Sequence, residues 1–158
     1  MARINPGRYT HSYHGDLVVF LIGMRVNRPW RPDLWLPVFF AMPRMLAELS
    51  RERGSGLLGF RFTLGAGGPI VVQYWDSVDR LYEYASASGS EHRPAWTAFN
   101  RRARKAPGAV GIWHETFQVS RAESIYESMP TVGLAQATGI VPVGPGNRHA
   151  RDRLSGPG

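Results

Sequence analysis

Residues 16–27, DLVVFLIGMRVN, run almost wholly apolar with β-branched and aromatic side chains, and predict a largely buried strand. A loop rich in proline and tryptophan, RPWRPDLW, separates it from a segment of different period. In LPVFFAMPRMLAELSRER the side chains Phe39, Met42, Met45, Leu46 and Leu49 share one helical face. Pro43 inside it predicts a kink or a restart, and Gly54 or Gly56 its end. Next, LLGFRFTL and IVVQYW flank the turn GAGGP, which is the signature of a β-hairpin. DSVDRLYEYAS begins with a capping Asp76 or Ser77 and places Val78, Leu81, Tyr82 and Ala85 at helical spacing. After the break SASGS comes a second helical piece, 91–105, and then a strand, 110–119. The polar residues 1–15 read as an N-terminal arm and the Gly/Pro/Arg-rich residues 143–158 as a flexible tail. One domain, 16–142, lies between them.

The order β-α-β-β-α-β, with the second helix in two pieces, is that of an α+β, ferredoxin-like split sheet. Four antiparallel strands carry both helices on one face. The other face is apolar as well and needs a cover, either the C-terminal segment or a second copy of the chain. Paired sheets in a homodimer, a dimeric α+β barrel, meet that need most economically.

Composition removes several classes of chemistry. The 158 residues include no cysteine, which excludes disulfides, thiolate nucleophiles, Cys-bound zinc and iron–sulfur clusters. No apolar run reaches the roughly 20 residues of a membrane-spanning helix, and no apolar leader opens the chain, so the expectation is a cytoplasmic protein without a membrane partner. The net charge of +7 comes from 18 arginines and one lysine spread along the chain. The single dense run, Arg101–Lys105, reads as a solvated helix end that suits the macrodipole. No nucleic-acid partner is expected. No G-x-S-x-G nucleophile signal occurs, and GAGG lies in a hairpin rather than between a strand and a helix.

Two histidines carry the candidate chemistry. On a helix starting near Ser90, His92 shares a face with Trp96 and Phe99. In the strand 110–119, period two groups His114 with Val110, Ile112 and Thr116, while Trp113, Glu115 and Phe117 take the opposite face. Each histidine, taken alone, also reads as a core side chain. If the strand packs under the helix that carries His92, a partly buried His114 faces His92 across an apolar cavity. Two opposed imidazoles there suit haem b, which takes one axial histidine and leaves its other face for chemistry. Trp75, Tyr82 and Trp96 read as core side chains that would equally line such a pocket.

The pattern VVFLIGMRVNRPW, MLAEL, GLLGF, VVQYWDSVDRLYEYA, HRPAWTAFNRR, GIWHETFQV and IYESMPTVGLA, over residues 16–142, resembles an uncharacterised, monooxygenase-like family of the dimeric α+β barrel superfamily. More distantly, YWDSVDRLYEYASASGSEHRPAWTAF followed by IWHETFQV is similar to the C-terminal half of haem-containing aldoxime dehydratases. That second resemblance implies His92 as proximal iron ligand, with Trp75, Trp96 and Phe99 about the cofactor. It implies His114 as the distal residue that protonates a departing hydroxyl. The serine that binds the substrate hydroxyl in those enzymes has no counterpart in IGMRVN, where Arg25 or Asn27 would substitute. Three functions stay open: a haem enzyme acting on a small aldoxime-like or oxidisable molecule, a cofactor-free monooxygenase for an electron-rich aromatic substrate, and a non-enzymatic haem-binding dimer. In the second, Trp113 or Trp75 would accompany His114.

Overall fold

The computed structural model describes residues 3–155 apart from 53, 66 and 88–91, and gives the backbone alone for residues 92–96 and 155. Its elements are β1 (Asn5–His11), β2 (Leu17–Val26), α1 (Pro32–Arg51), β3 (Leu57–Gly65), β4 (Gly68–Trp75), α2 (Val78–Ser86), α3 (His92–Lys105), β5 (Val110–Val119), β6 (Tyr126–Met129), α4 (Gly133–Thr138), β7 (Ile140–Pro142) and, after a 3₁₀ turn, α5 (Ala150–Ser155). β2 to β5 form an antiparallel sheet in the order β3-β4-β2-β5. With α1 after its first strand and α2 and α3 after its third, that order is the ferredoxin-like fold.

Helix α1 starts four residues earlier than LPVFF suggests. Pro32 occupies its first turn, where the missing N–H costs nothing, and Asp33 holds Arg31 through two hydrogen bonds of 2.9 and 2.7 Å. The helix is continuous through Pro37 and Pro43, so the expected restart does not occur. Its buried side chains are Leu34, Leu46 and Leu49, whereas Phe39 is exposed, because the face that meets the sheet is turned away from it. Tyr82 also departs from expectation. It lies on the outer side of α2 at 59% exposure, while Leu81 is buried. Ser77 caps α2 by accepting from the Arg80 N–H.

The hairpin between β3 and β4 needs glycine at Gly68 because of close approach. A Cβ there would run into the Met24 carbonyl of β2, a backbone atom that cannot rotate away. Gly68→Ala is therefore expected to cost about 3 kcal/mol, measured by urea unfolding. Gly65→Ala, whose Cβ would meet only the end of the Ile70 side chain at 3.3 Å, is expected to cost far less.

The residues expected as an arm form β1, the central strand of a second sheet in the order β6-β1-β7. A polar strand gives little periodic signal, and its partners lie more than a hundred residues away. The expected flexible tail is likewise ordered over 144–155. Arg153, nearly buried, donates from Nε to Glu123 at 2.7 Å and from Nη1 to the carbonyls of Asn147 and Arg148. His11 closes β1: the Ser124 hydroxyl accepts its backbone N–H at 3.1 Å and lies 2.8 Å from Nδ1. Burial lowers the His11 pKa from 6.5, and Glu123 opposes that in part. A depressed folded value favours the neutral ring, so its stabilising contribution is full above pH 6.5 and is lost as pH falls through the folded value. Melting temperatures of the parent and His11→Asn, compared between pH 7.5 and 5, are expected to show a steeper acid loss in the parent.

Candidate functional site

The strand registers arrange the helix-facing side of the main sheet in rows. The first is Leu57–Trp75–Val18–Gln118, the second Phe60–Gln73–Phe20–Thr116, and the third Phe62–Val71–Ile22–His114. The first row is sealed in its middle. Trp75 is 0% exposed and packs with Val18, Leu49 and Leu81, and its ring lies 6.2 Å from that of Tyr84. Trp75 is thus a core side chain with no open wall. Its indole N–H still needs an acceptor in this dry interior, and Gln73 Oε1 supplies one at 2.9 Å.

Among the described residues, the β5 side of these rows is open. α1 meets the sheet on β3 and α2 on β4, while α3 packs chiefly against α1 and α2. Edge strand β5 is left at the margin of the helical layer. His114 is consequently exposed, which corrects the expectation that α3 packs upon its strand and partly buries it. Its ring lies 5.6 Å from Phe20, tilted by 38°. Further along the same face of β5 come Thr116 and Gln118. At Gln118 the margin deepens into a groove of about 400 Å³ between the end of β5, the start of β2 and the first turn of α2. Gln118, Val18, Val78, Ser77 and Asp79 are among its lining residues. The volume lies in the range of small-ligand sites.

The other residues singled out in the sequence are placed apart. Arg25 is on the opposite face of the sheet from His114, two residues beyond Gly23, and donates from Nε to Asn27 Oδ1 at 3.1 Å. It cannot share a pocket with His114. Trp113 lies on that far face too: a Cβ at Gly23 would come within 2.5 Å of its indole. Glu115 is exposed there, opposite Leu21, as the period-two pattern requires. Phe99 is half-buried on α3. His92 and Trp96 belong to α3, but their side chains lie outside the described residues, as does any pairing of His92 with His114. Among the described residues no three histidine or carboxylate groups converge to hold a metal ion. None of those residues forms a helix long and apolar enough to cross a membrane.

The sequence reading overlooked Gln73 and Phe20. Gln73 is a single amide in the apolar run IVVQYW, two residues before a tryptophan. Period two puts both on one face, and that was the available signal.

Residues 17–134, from the first strand of the main sheet to the start of α4, match the family described as Monooxygenase af470-like. The chain belongs to that family. It is 30% identical over 129 residues to monooxygenase af470 of Aspergillus fumigatus, an alignment covering 73% of this chain and 42% of that protein. The chain therefore spans less than half the length of this curated relative. Among solved structures it is similar to SnoaB, a cofactor-independent oxygenase from Streptomyces nogalater, at 14% identity and a TM-score of 0.48, covering 68% of this chain and 97% of SnoaB. It is also similar to a dimeric ferredoxin-like protein of unknown function from Thermobifida fusca, at 21% identity and a TM-score of 0.45, covering 68% and 95% of the two chains. The match to the monooxygenase-like family agrees with the nearer of the two sequence resemblances.

Proposed function

We propose that the chain is a monooxygenase that holds an electron-rich aromatic substrate beside β5, on the helix-facing side of the sheet, where O₂ reacts with it directly. The observation that carries this reading is the open margin at which Phe20, Thr116 and His114 share one face. Membership of a monooxygenase-like family supports it. An aromatic wall orients a flat substrate, and an imidazole within reach can take the proton whose removal makes the ring electron-rich. With a methylene as the reacting carbon, one oxygen atom of O₂ stays on carbon as a carbonyl. The other leaves as water with the two methylene hydrogens, so the substrate is the only reductant needed.

The far face supports a homodimer. α4 covers part of it by packing Leu134 against Leu17, Val72 and Tyr74. Over β2 and β5, Leu21, Trp113 and a half-exposed Phe117 remain for a second copy.

The test is oxygen uptake by the purified protein with a panel of phenols, hydroxynaphthalenes and anthrones, without added flavin, nicotinamide or metal. Uptake that tracks product one to one is expected. Uptake that needs an added cofactor would overturn the cofactor-free reading. Titration with hemin in the same preparation is expected to give no saturable Soret band. A saturable band lost in His92→Ala would return the haem reading, with His92 on the iron.

A further inference from the structure

The second row of the sheet contains a hydrogen-bond donor that the proposed chemistry has not yet used. Gln73 is 5% exposed and sits between Phe60 on β3 and Phe20 on β2. Its amide orientation follows from its neighbour. Trp75 Nε1–H can only donate, so the atom 2.9 Å from it is the amide oxygen. The amide nitrogen, with its two N–H groups, must then point the other way. Among the described residues no hydrogen bond ends on that nitrogen. It is also not a sealed orphan, for the buried polar atom left without a partner among these residues is Asp76 Oδ1. A fixed donor flanked by two phenylalanine rings remains, and in such apolar surroundings a hydrogen bond to a ligand is stronger than in water.

From this we infer that Gln73 is the specificity-determining contact of the site, donating to a carbonyl or phenolic oxygen of the aromatic substrate. The inference rests on the substrate site proposed above and adds the substrate's chemistry and size. Gln73 and His114 are one row and two strands apart, which places their backbones roughly 12 Å from each other. Both side chains point to the helix side, so a system of two or three fused rings reaches from one to the other. Its oxygen accepts from Gln73, and its reacting carbon lies toward His114. A single small ring would satisfy one of the two groups only.

The inference is tested with a matched pair of ligands, 1-tetralone and tetralin, which share a carbon skeleton and differ in one acceptor oxygen. Dissociation constants are measured by calorimetry on the purified full chain and on Gln73→Met, which keeps the volume and removes the donor. Loss of one neutral hydrogen bond is expected to raise the tetralone-to-tetralin ratio of constants about five-fold in the variant. A ratio that does not change overturns the assignment of Gln73 and leaves the pocket standing. If the wild type binds neither ligand saturably, the pocket and the assignment fall together. Should Gln73→Met not fold, the ¹⁵N-labelled wild type decides. The Gln73 side-chain amide cross-peak is expected to move with 1-tetralone and to stay in place with tetralin. An unmoved peak under saturating tetralone overturns the inference.

Discussion

Replacing Trp75 with alanine is expected to destabilise the fold by about 3–5 kcal/mol, the largest loss of any single truncation in the main sheet. The indole is fully buried, and three elements close over it through Val18 of β2, Leu49 of α1, and Leu81 and Tyr84 of α2. Collapse around the resulting cavity is restricted, because β4 is an interior strand paired on both sides. Denaturant unfolding followed by circular dichroism measures this directly. Trp75→Phe separates packing from hydrogen bonding. It keeps most of the ring and should cost markedly less, but it frees the Gln73 amide to turn. A tetralone preference that falls in Trp75→Phe while the protein remains folded would show that the indole N–H holds the amide in place. A stability loss below about 1 kcal/mol for the alanine variant would contradict the sealed first row.

His114→Ala is expected to behave in the opposite way, with a small effect on stability and a large one on turnover. Its ring is exposed at the sheet margin and meets only Phe20, at a tilt of 38°, among the ring contacts of the described residues, so stability should stay within about 0.5 kcal/mol of the parent. If it moves the substrate proton, kcat should drop by about 10²–10⁴-fold with little change in KM. A neighbouring variant supplies the control. Glu115→Ala, adjacent in sequence but on the far face, should leave kcat unchanged. Oxygen-uptake kinetics at several substrate concentrations resolve the two constants. Equal losses in both variants would mean that the strand is being disturbed rather than a proton transfer removed.

The main sheet was legible because its strands carry strong signals: a β-branched run in β2, a glycine hairpin between β3 and β4, and alternation in β5. The assignment of His114 and Glu115 to opposite faces follows from period two alone and holds in the register. The cover over β5 could not be read. A helix's periodicity says which face is apolar but not which strand it lies over, and α3 leans on α1 and α2. Arg25 was misplaced for a related reason, since its nearness in sequence to the end of a strand says nothing about which side of the sheet a pocket occupies. Gln73 was hidden by its surroundings: in a buried apolar run a single amide looks like noise until the indole that needs it is seen. The second sheet was the hardest part, because its strands are short, β1 is largely polar, and β6 and β7 lie more than a hundred residues away from it.

That second sheet bears on how the chain can be handled. A fragment cut to the residues shared with its family, 17–134, would lose β1 and β7 entirely and most of α4. Ala137, which packs on Gly59, would go, and Leu134 would become a loose chain end. Leu17, Val72 and Tyr74 would then face water together. The fragment should self-associate or precipitate, even though every strand of the ferredoxin-like sheet is still present. The segments outside the shared region act as the lid of a box whose walls and floor they do not build.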